Sequence, residues 1–248
     1  MNEFKRFPCI FYETLRFAPN QPLKDCYRLF DPNATGDGTT ITEEHESEMI
    51  RLMFRDKDFR NLLLSELELL GEYQVLLEVG TPVARHGLIP GDFDVILYNQ
   101  ATPPYSIGIE CKAVSVKSNK EGNEDKVTKL GKIRRGVQQA NGLRKDHNFH
   151  LSYLLVFAKV DAVAHKETNV FFSSASLQAL HSVYDKVMNE PLHDDVGIVI
   201  VEIVQPTRKN FSEMGMVGVH VERLAKPCEQ SEQLTNRITE AAMKEAIK

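Results

Sequence analysis

The stretch Gly91–Ala113, GDFDVILYNQATPPYSIGIECKA, decides how this chain folds. It holds two apolar runs, Phe93–Tyr98 (FDVILY) and Ile107–Ala113 (IGIECKA), separated by a loop containing Pro103-Pro104. Both runs have the length and the β-branched or aromatic content of strands, and the prolines punctuate them. Side chains alternate faces along a strand, so Glu110 and Lys112 share one face while Ile109 and Cys111 share the other. Antiparallel pairing of the runs as a hairpin would bring Asp94 beside Glu110 and Lys112. Two carboxylates and an ammonium would then meet at the end of an otherwise apolar hairpin.

That grouping suits hydrolysis of a phosphodiester. Asp94 and Glu110 offer oxygen ligands to a hard divalent cation, Mg²⁺ with Mn²⁺ as a substitute. Such a cation lowers the pKa of a bound water and neutralises charge developing on the phosphate. Lys112 would orient the water or help deprotonate it, and its charge would stabilise the transition state. Without a cation, the same ammonium offsets the repulsion between the two carboxylates.

The pattern Asp94, gap, Glu110-Cys111-Lys112 resembles the PD-(D/E)xK nuclease superfamily, whose members share the restriction-endonuclease-like fold. The first half here reads Gly91-Asp92-Phe93-Asp94, with Pro90 four residues before Asp94 rather than next to it; the second half matches in full. The resemblance spans roughly Glu43 to Val160. It implies Asp94 and Glu110 as metal ligands, with the Cys111 carbonyl completing the set and Lys112 positioning water. It also implies in-line attack leaving a 5′-phosphate, and an acidic residue from a helix preceding the sheet. Glu48 is the first choice for that acid and Glu44 the second.

A rival triplet, Glu124-Asp125-Lys126, lies in the polar stretch SNKEGNEDK, which reads as a loop without a strand to fix its geometry. A plainer reading of Glu110 and Lys112 is a salt bridge on a solvated sheet edge, where charges guard against aggregation.

The flanking segments read as helices. From Thr42 to Leu70, apolar residues recur at three- and four-residue spacing, and Asp56-Lys57-Asp58 marks a break. Val127–Lys145 is helical in character but interrupted by glycines 131, 136 and 142. Superfamily members place a helix there, some with a glutamine that contacts the site, which implies Gln138 and Gln139. The Gln-x-x-x-Tyr variant is absent, because Leu143 stands where the tyrosine would follow Gln139.

Charge gives an independent argument. Residues Lys112 to Lys145 contain ten bases and three acids, a net +7, which leaves −12 to the rest of a chain whose total is −5. A basic segment beside a metal site in an acidic protein suits a polyanion, and phosphate contacts provide affinity without reading sequence. Lys117, Lys129, Lys132, Arg134 and Arg135 are the candidate nucleic-acid contacts, together with Gln138 and Gln139. A solvated helix face explains the same charges without a partner.

The remaining composition narrows the class. At 248 residues and 42% hydrophobic content there is ample material for a core. Apolar runs are strand-sized, so no membrane span is expected. The N-terminus lacks the pattern of a signal peptide, and a cytoplasmic location is expected. Four scattered cysteines, Cys9, Cys26, Cys111 and Cys228, form no zinc or disulfide framework. His147 and His150 read as residues of an exposed turn rather than metal ligands. Asn33–Gly38 with Glu44 echoes a calcium-binding loop poorly, since Pro32 stands where the entering helix should run.

Downstream, Ser152–Val160 and Val196–Val204 read as buried strands, Ser174–Met188 and Ser231–Lys248 as helices, and Gly218–Leu224 as an edge strand. The expected architecture is α/β: a restriction-endonuclease-like central mixed sheet flanked by helices, with extra C-terminal strands and a helix. Residues 1–41 would form an N-terminal arm and loop, and 42–248 a single nuclease-like domain. The expected activity is Mg²⁺-dependent hydrolysis of DNA, with RNA less favoured and a homodimer plausible for cutting two strands. Alternatives are a catalytically silent nucleic-acid-binding or interaction module of the same fold, or a phosphodiesterase for small nucleotides.

Overall fold

The computed structural model describes residues 27–30, 45–80, 92–99, 105–118, 125–161, 177–204 and 215–246. The chain is α/β, built on one mixed sheet with helices on both faces. Its elements run β1 (Tyr27–Phe30), α1 (Glu46–Arg55), α2 (Lys57–Glu66), β2 (Gln74–Gly80), β3 (Asp92–Tyr98), β4 (Ser106–Ser118) and β5 (Asp125–Thr128). They continue with α3 (Gly131–Lys145), β6 (Leu151–Asp161), α4 (Leu177–Met188), β7 (Gly197–Val204), β8 (Gly215–Arg223) and α5 (Glu232–Ala246). Seven strands follow the order β1-β8-β7-β6-β4-β3-β2, and β5 pairs with β4 off this path.

β3 and β4 form the antiparallel hairpin expected from their sequence, in the register Val95↔Ile109 to Tyr98↔Ser106. β4, β6 and β7 are parallel neighbours, so each connection between them must cross a face of the sheet, and α3 and α4 make those crossings. Strands buried on both faces need no polar alternation. That is why β6 and β7 show near-unbroken apolar runs, with Leu154 to Phe157 and Ile198 to Val201 all buried.

The alternating faces of β4 separate two cores. Ile107, Ile109, Cys111 and Ala113 join Met49, Met53, Phe54, Phe59 and Leu63 of α1 and α2. Val114 and Val116 join Ile133, Val137 and Ala140 of α3 with Val183 and Val187 of α4. A third cluster sits on the α3 side, where Leu143 and Phe149 meet Phe93, Ile96 and Tyr98 of β3 and Leu234 and Ile238 of α5. The break between α1 and α2 falls at Asp56, whose Oδ1 accepts the Phe59 N–H at 2.8 Å and caps α2.

The sheet differs from expectation in four places. Within residues 1–41, expected to form an arm and loop, Tyr27–Phe30 adds a strand antiparallel to β8. β8 therefore lies between β7 and β1 rather than at the edge. Val127 and Thr128 belong to β5, not to a helix; Lys129 turns the chain with φ 66°, and α3 starts only at Gly131. The strand Gln74–Gly80 carries a weak period-2 signal that sequence patterning did not flag, and it pairs with β3 along its length. Asp125 and Lys126 of the rival triplet stand at the start of β5, in a strand rather than a loop. Glu124, Pro90, Glu44 and residues 33–38 lie outside the described residues. No helix among the described residues is long and apolar enough to cross a membrane.

Candidate active site

The hairpin pairing stops short of its end. After Val95↔Ile109 the next rung would join Asp94 to Glu110, but the ladder ends there. β5 takes up the same edge of β4 only from Ser115↔Thr128 onward. The opposite edge is filled by β6 without a break from Ile107 to Lys117. A stretch of β4 from Glu110 to Val114 is thus left without a strand on one side. A buried backbone N–H needs an acceptor, and two carboxylates fill the gap. Asp94 Oδ2 accepts the Cys111 N–H at 2.8 Å, and Glu46 Oε2 accepts the Ala113 N–H at 2.8 Å.

The expected residues converge on this gap. Lys112 Nζ bonds Glu110 Oε1, donates to the Cys111 carbonyl at 2.8 Å, and lies 4.0 Å from Asp94 Oδ2. Glu110 is 2% exposed and Lys112 7%, which rules out a solvated edge bridge. α3 closes over them at Gly136. A Cβ built there would come within 2.6 Å of Lys112 Cγ, so only a glycine lets the helix approach the lysine stem this closely.

Burial and like charge set the electrostatics. Glu110 is pushed up to about 8, by burial first and by the charge of Asp94 second, against the opposing pull of Lys112. Burial also raises Asp94, although Lys112 and the Cys111 amide both pull it down. Burial opposes the charge on Lys112, yet Glu110 and Asp94 together raise its pKa and keep it protonated. The two carboxyls therefore retain a proton that an added cation would replace.

The donor set fits Mg²⁺: two carboxylates and the Cys111 carbonyl, all oxygen, with waters for the remaining positions. Among the described residues no group of three or more His, Cys, Asp or Glu side chains stands ready to hold a metal, so the carbonyl and water would be needed.

The acid contributed by the first helix is Glu46, not Glu48. Positions two apart on a helix point to nearly opposite sides, so only one of the pair can face the sheet. Glu48 turns to Arg51 at 3.5 Å, and Arg51 in turn binds Glu78 at 2.5 Å. Glu46 is also met by Lys132 Nζ at 3.2 Å, which brings the start of α3 to the gap. The signal for Glu46 lay in its place at the N-terminus of an amphipathic helix, but the helical phase could not be fixed from sequence.

The basic candidates divide. Lys132 reaches the site through Glu46, whereas Arg134 turns to Glu190 at 3.9 Å. Arg135, Lys129 and Gln138 are exposed. Lys117 sits on β4 opposite Lys126 of β5. Gln139 lies on the α3 stripe between Gly136, which covers Lys112, and Leu143, which packs in the cluster of Phe93. Its Oε1 is buried and finds no hydrogen-bond partner among the described residues.

His147 and His150 are packing residues. His147 meets the Phe93 ring at 4.8 Å, and His150 Nδ1 pairs with the Cys228 carbonyl at 2.9 Å. Cys111 and Cys228 are free thiols.

Asp94 owes its aim to an irregularity in two strands. On β2, Val75 and Leu77 face the α1–α2 core while Leu76 and Val79 face the α5 side. On β3, Val95 and Leu97 face the first core while Phe93, Ile96 and Tyr98 face the second. Strict alternation would put Val79 with Leu77 and Phe93 with Val95. Both strands switch face together, at Glu78 and at Asp94. Glu78 has φ 52°, a left-handed conformation that costs a non-glycine residue about 1–2 kcal/mol. The switch leaves the Asp94 carboxylate aimed along the sheet toward β4.

No protein-family model, curated protein or solved structure gives a significant match to this chain.

Proposed function

We propose that this protein is a metal-dependent nuclease that hydrolyses DNA phosphodiester bonds, on a fold of the restriction-endonuclease-like type. One observation carries the reading: Asp94, Glu110, Lys112 and the Cys111 carbonyl meet in an interruption of sheet pairing, with Glu110 and Lys112 buried and two carboxyls set against one ammonium. Burying two carboxylates beside one ammonium is expensive for a purely structural role, because desolvated charges rarely recover their cost. A divalent cation would take the place of the proton that the two carboxyls retain. Perturbed titratable groups gathered with a specific charge partner also mark functional sites.

When bound between Asp94, Glu110 and the Cys111 carbonyl, Mg²⁺ would supply Lewis-acid stabilisation of the phosphate and lower the pKa of a coordinated water. Lys112, held protonated, donates to the attacking water or to a phosphate oxygen as negative charge builds there. Glu46 fixes the β4 backbone next to the reacting group and tethers Lys132 at the mouth. Lys132 reaches the site through Glu46, the exposed Lys129 and Arg135 would add phosphate contacts, and Gln139 offers a buried carbonyl without a partner among the described residues. In-line attack by water would leave a 5′-phosphate.

The test is incubation with supercoiled plasmid and with single-stranded DNA, in Mg²⁺ or Mn²⁺ against EDTA. Cation-dependent cleavage is expected, and Asp94→Ala and Lys112→Ala should each lower it by about 10²–10³ or more. Full activity in either folded variant, or DNA binding with no cleavage in any metal, would exclude the nuclease and select a binding module.

A further inference from the structure

Glu78 contacts none of the groups that would hold a cation, yet it sits across from Asp94 at the point where β2 and β3 change face together. The rungs on either side, Leu77↔Val95 and Val79↔Phe93, keep the same register, so the switch is a concerted rotation rather than an inserted residue. A rotation of this kind needs one residue to leave the β region. Glu78, with φ 52°, does so. On the β3 side the rotated state is held by Phe93, which packs edge-on against Phe149 at 5.1 Å and His147 at 4.8 Å. On the β2 side it is held by Arg51 of α1, whose Nη2 bonds Glu78 Oε2 at 2.5 Å.

We infer that Glu78 is a positioning residue: its left-handed backbone, tied to Arg51, turns Asp94 into the sheet plane and onto the Cys111 amide. This rests on the nuclease reading for its purpose, though not for its geometry. With Glu78 extended, β3 would alternate regularly, and Asp94 would stand on the α3 face with Ile96 and Tyr98. The Cys111 N–H would then lose its acceptor, and Asp94 would leave its place beside the Cys111 backbone for the face that carries Glu110 and Lys112. The bond to Arg51, an exposed pair, offsets part of the backbone cost of positive φ for a glutamate here, and a glycine would adopt it without cost.

The test compares Glu78→Val, Glu78→Ala, Glu78→Asn and Glu78→Gly. All four remove the Arg51 tie, and only glycine and asparagine tolerate positive φ readily. Two measurements are made on the full chain: deuterium exchange of the Cys111 amide and Mn²⁺ affinity by calorimetry. Glu78→Val should exchange at Cys111 about tenfold faster and bind Mn²⁺ about tenfold more weakly, with Gly and Asn within about twofold of the parent. The amides of Ile107 and Ile109, inside the intact β3–β4 ladder, report the fold. If the Val chain loses protection there too, the comparison of Ala with Gly decides, since the two differ only by the methyl that opposes positive φ. Equal exchange at Cys111 in those two, or parental exchange in a folded Val variant, overturns the inference. If the parent chain neither binds Mn²⁺ nor cleaves DNA, the nuclease proposal falls while the exchange comparison still judges Glu78.

Discussion

Asp94 accepts the Cys111 amide at 2.8 Å, at the rung where a backbone carbonyl of β3 would otherwise stand. One carboxylate oxygen thus takes the place of a strand, and the site's geometry and the sheet's hydrogen bonding depend on the same side chain. The two roles separate by substitution. Asp94→Asn keeps an acceptor for the amide and loses the charge, so it should fold with near-parental stability and fail to bind Mg²⁺. Asp94→Ala removes both and should also lose about 1–3 kcal/mol in urea denaturation, the cost of a buried donor without a partner. Equal stability of the two would show that the amide bond is dispensable.

The protonation state of Glu110 ties stability to pH. Its pKa is raised from 4.5 to about 8 in the fold, so the folded chain holds a proton that the unfolded chain releases between those values. The stabilisation is complete below 4.5 and is lost as pH rises to about 8. Metal-free stability should fall across that window by up to about 1.4 kcal/mol per pH unit for a single proton. On the proposed function Mg²⁺ would displace the proton, so the cation's stabilising effect should grow with pH over the same window. Melting temperatures from about pH 5 to 9, with and without Mg²⁺, measure both slopes; a cation effect that shrinks with pH would contradict the site.

Glu46 and Glu48 make a matched pair for mutagenesis. Glu48→Ala breaks only a half-exposed bridge to Arg51 and should cost less than about 1 kcal/mol, with cleavage retained. Glu46→Ala strips the Ala113 amide of its acceptor and releases Lys132. Its cleavage rate should drop at least about tenfold, the lower end of what one hydrogen bond to a charged group is worth. Parallel rate assays decide it, and reversed sensitivities would assign the helix acid to Glu48 after all.

Gly136→Ala probes the roof of the site. The added methyl meets Lys112 Cγ at 2.6 Å and Leu154 Cδ1 at 3.2 Å, so either α3 lifts or the lysine stem shifts. Overpacking of this kind costs about 1–3 kcal/mol. Because the displaced group is Lys112, kcat should fall more than KM changes. A variant with unaltered turnover would mean that α3 yields freely.

The hairpin was legible in sequence because both of its runs are apolar, bounded by turn residues, and long enough to show alternation. That alternation alone put Glu110 and Lys112 on one face and Cys111 on the other. The choice between Glu46 and Glu48 was not legible, since two acids in the first turn of a helix differ only in phase, and the phase is set by packing of Met49 and Met53 against the sheet. Strand β2 escaped notice because Glu78 interrupts its alternation, and the residue that hides the strand is the one that turns Asp94. β5 was hidden by Lys126 and the neighbouring polar residues, which read as a loop until β4 supplied a partner.

The interruption in β4 has a mechanical consequence. Eleven successive rungs to β6 make Glu110 and Lys112 part of a stationary rail. Asp94 and Glu46 touch that rail through one amide each. An arriving cation would therefore draw two adjustable arms onto a fixed anvil, and the tolerance of the centre for ions of different radius would reside in β3 and α1 while the rail stays still.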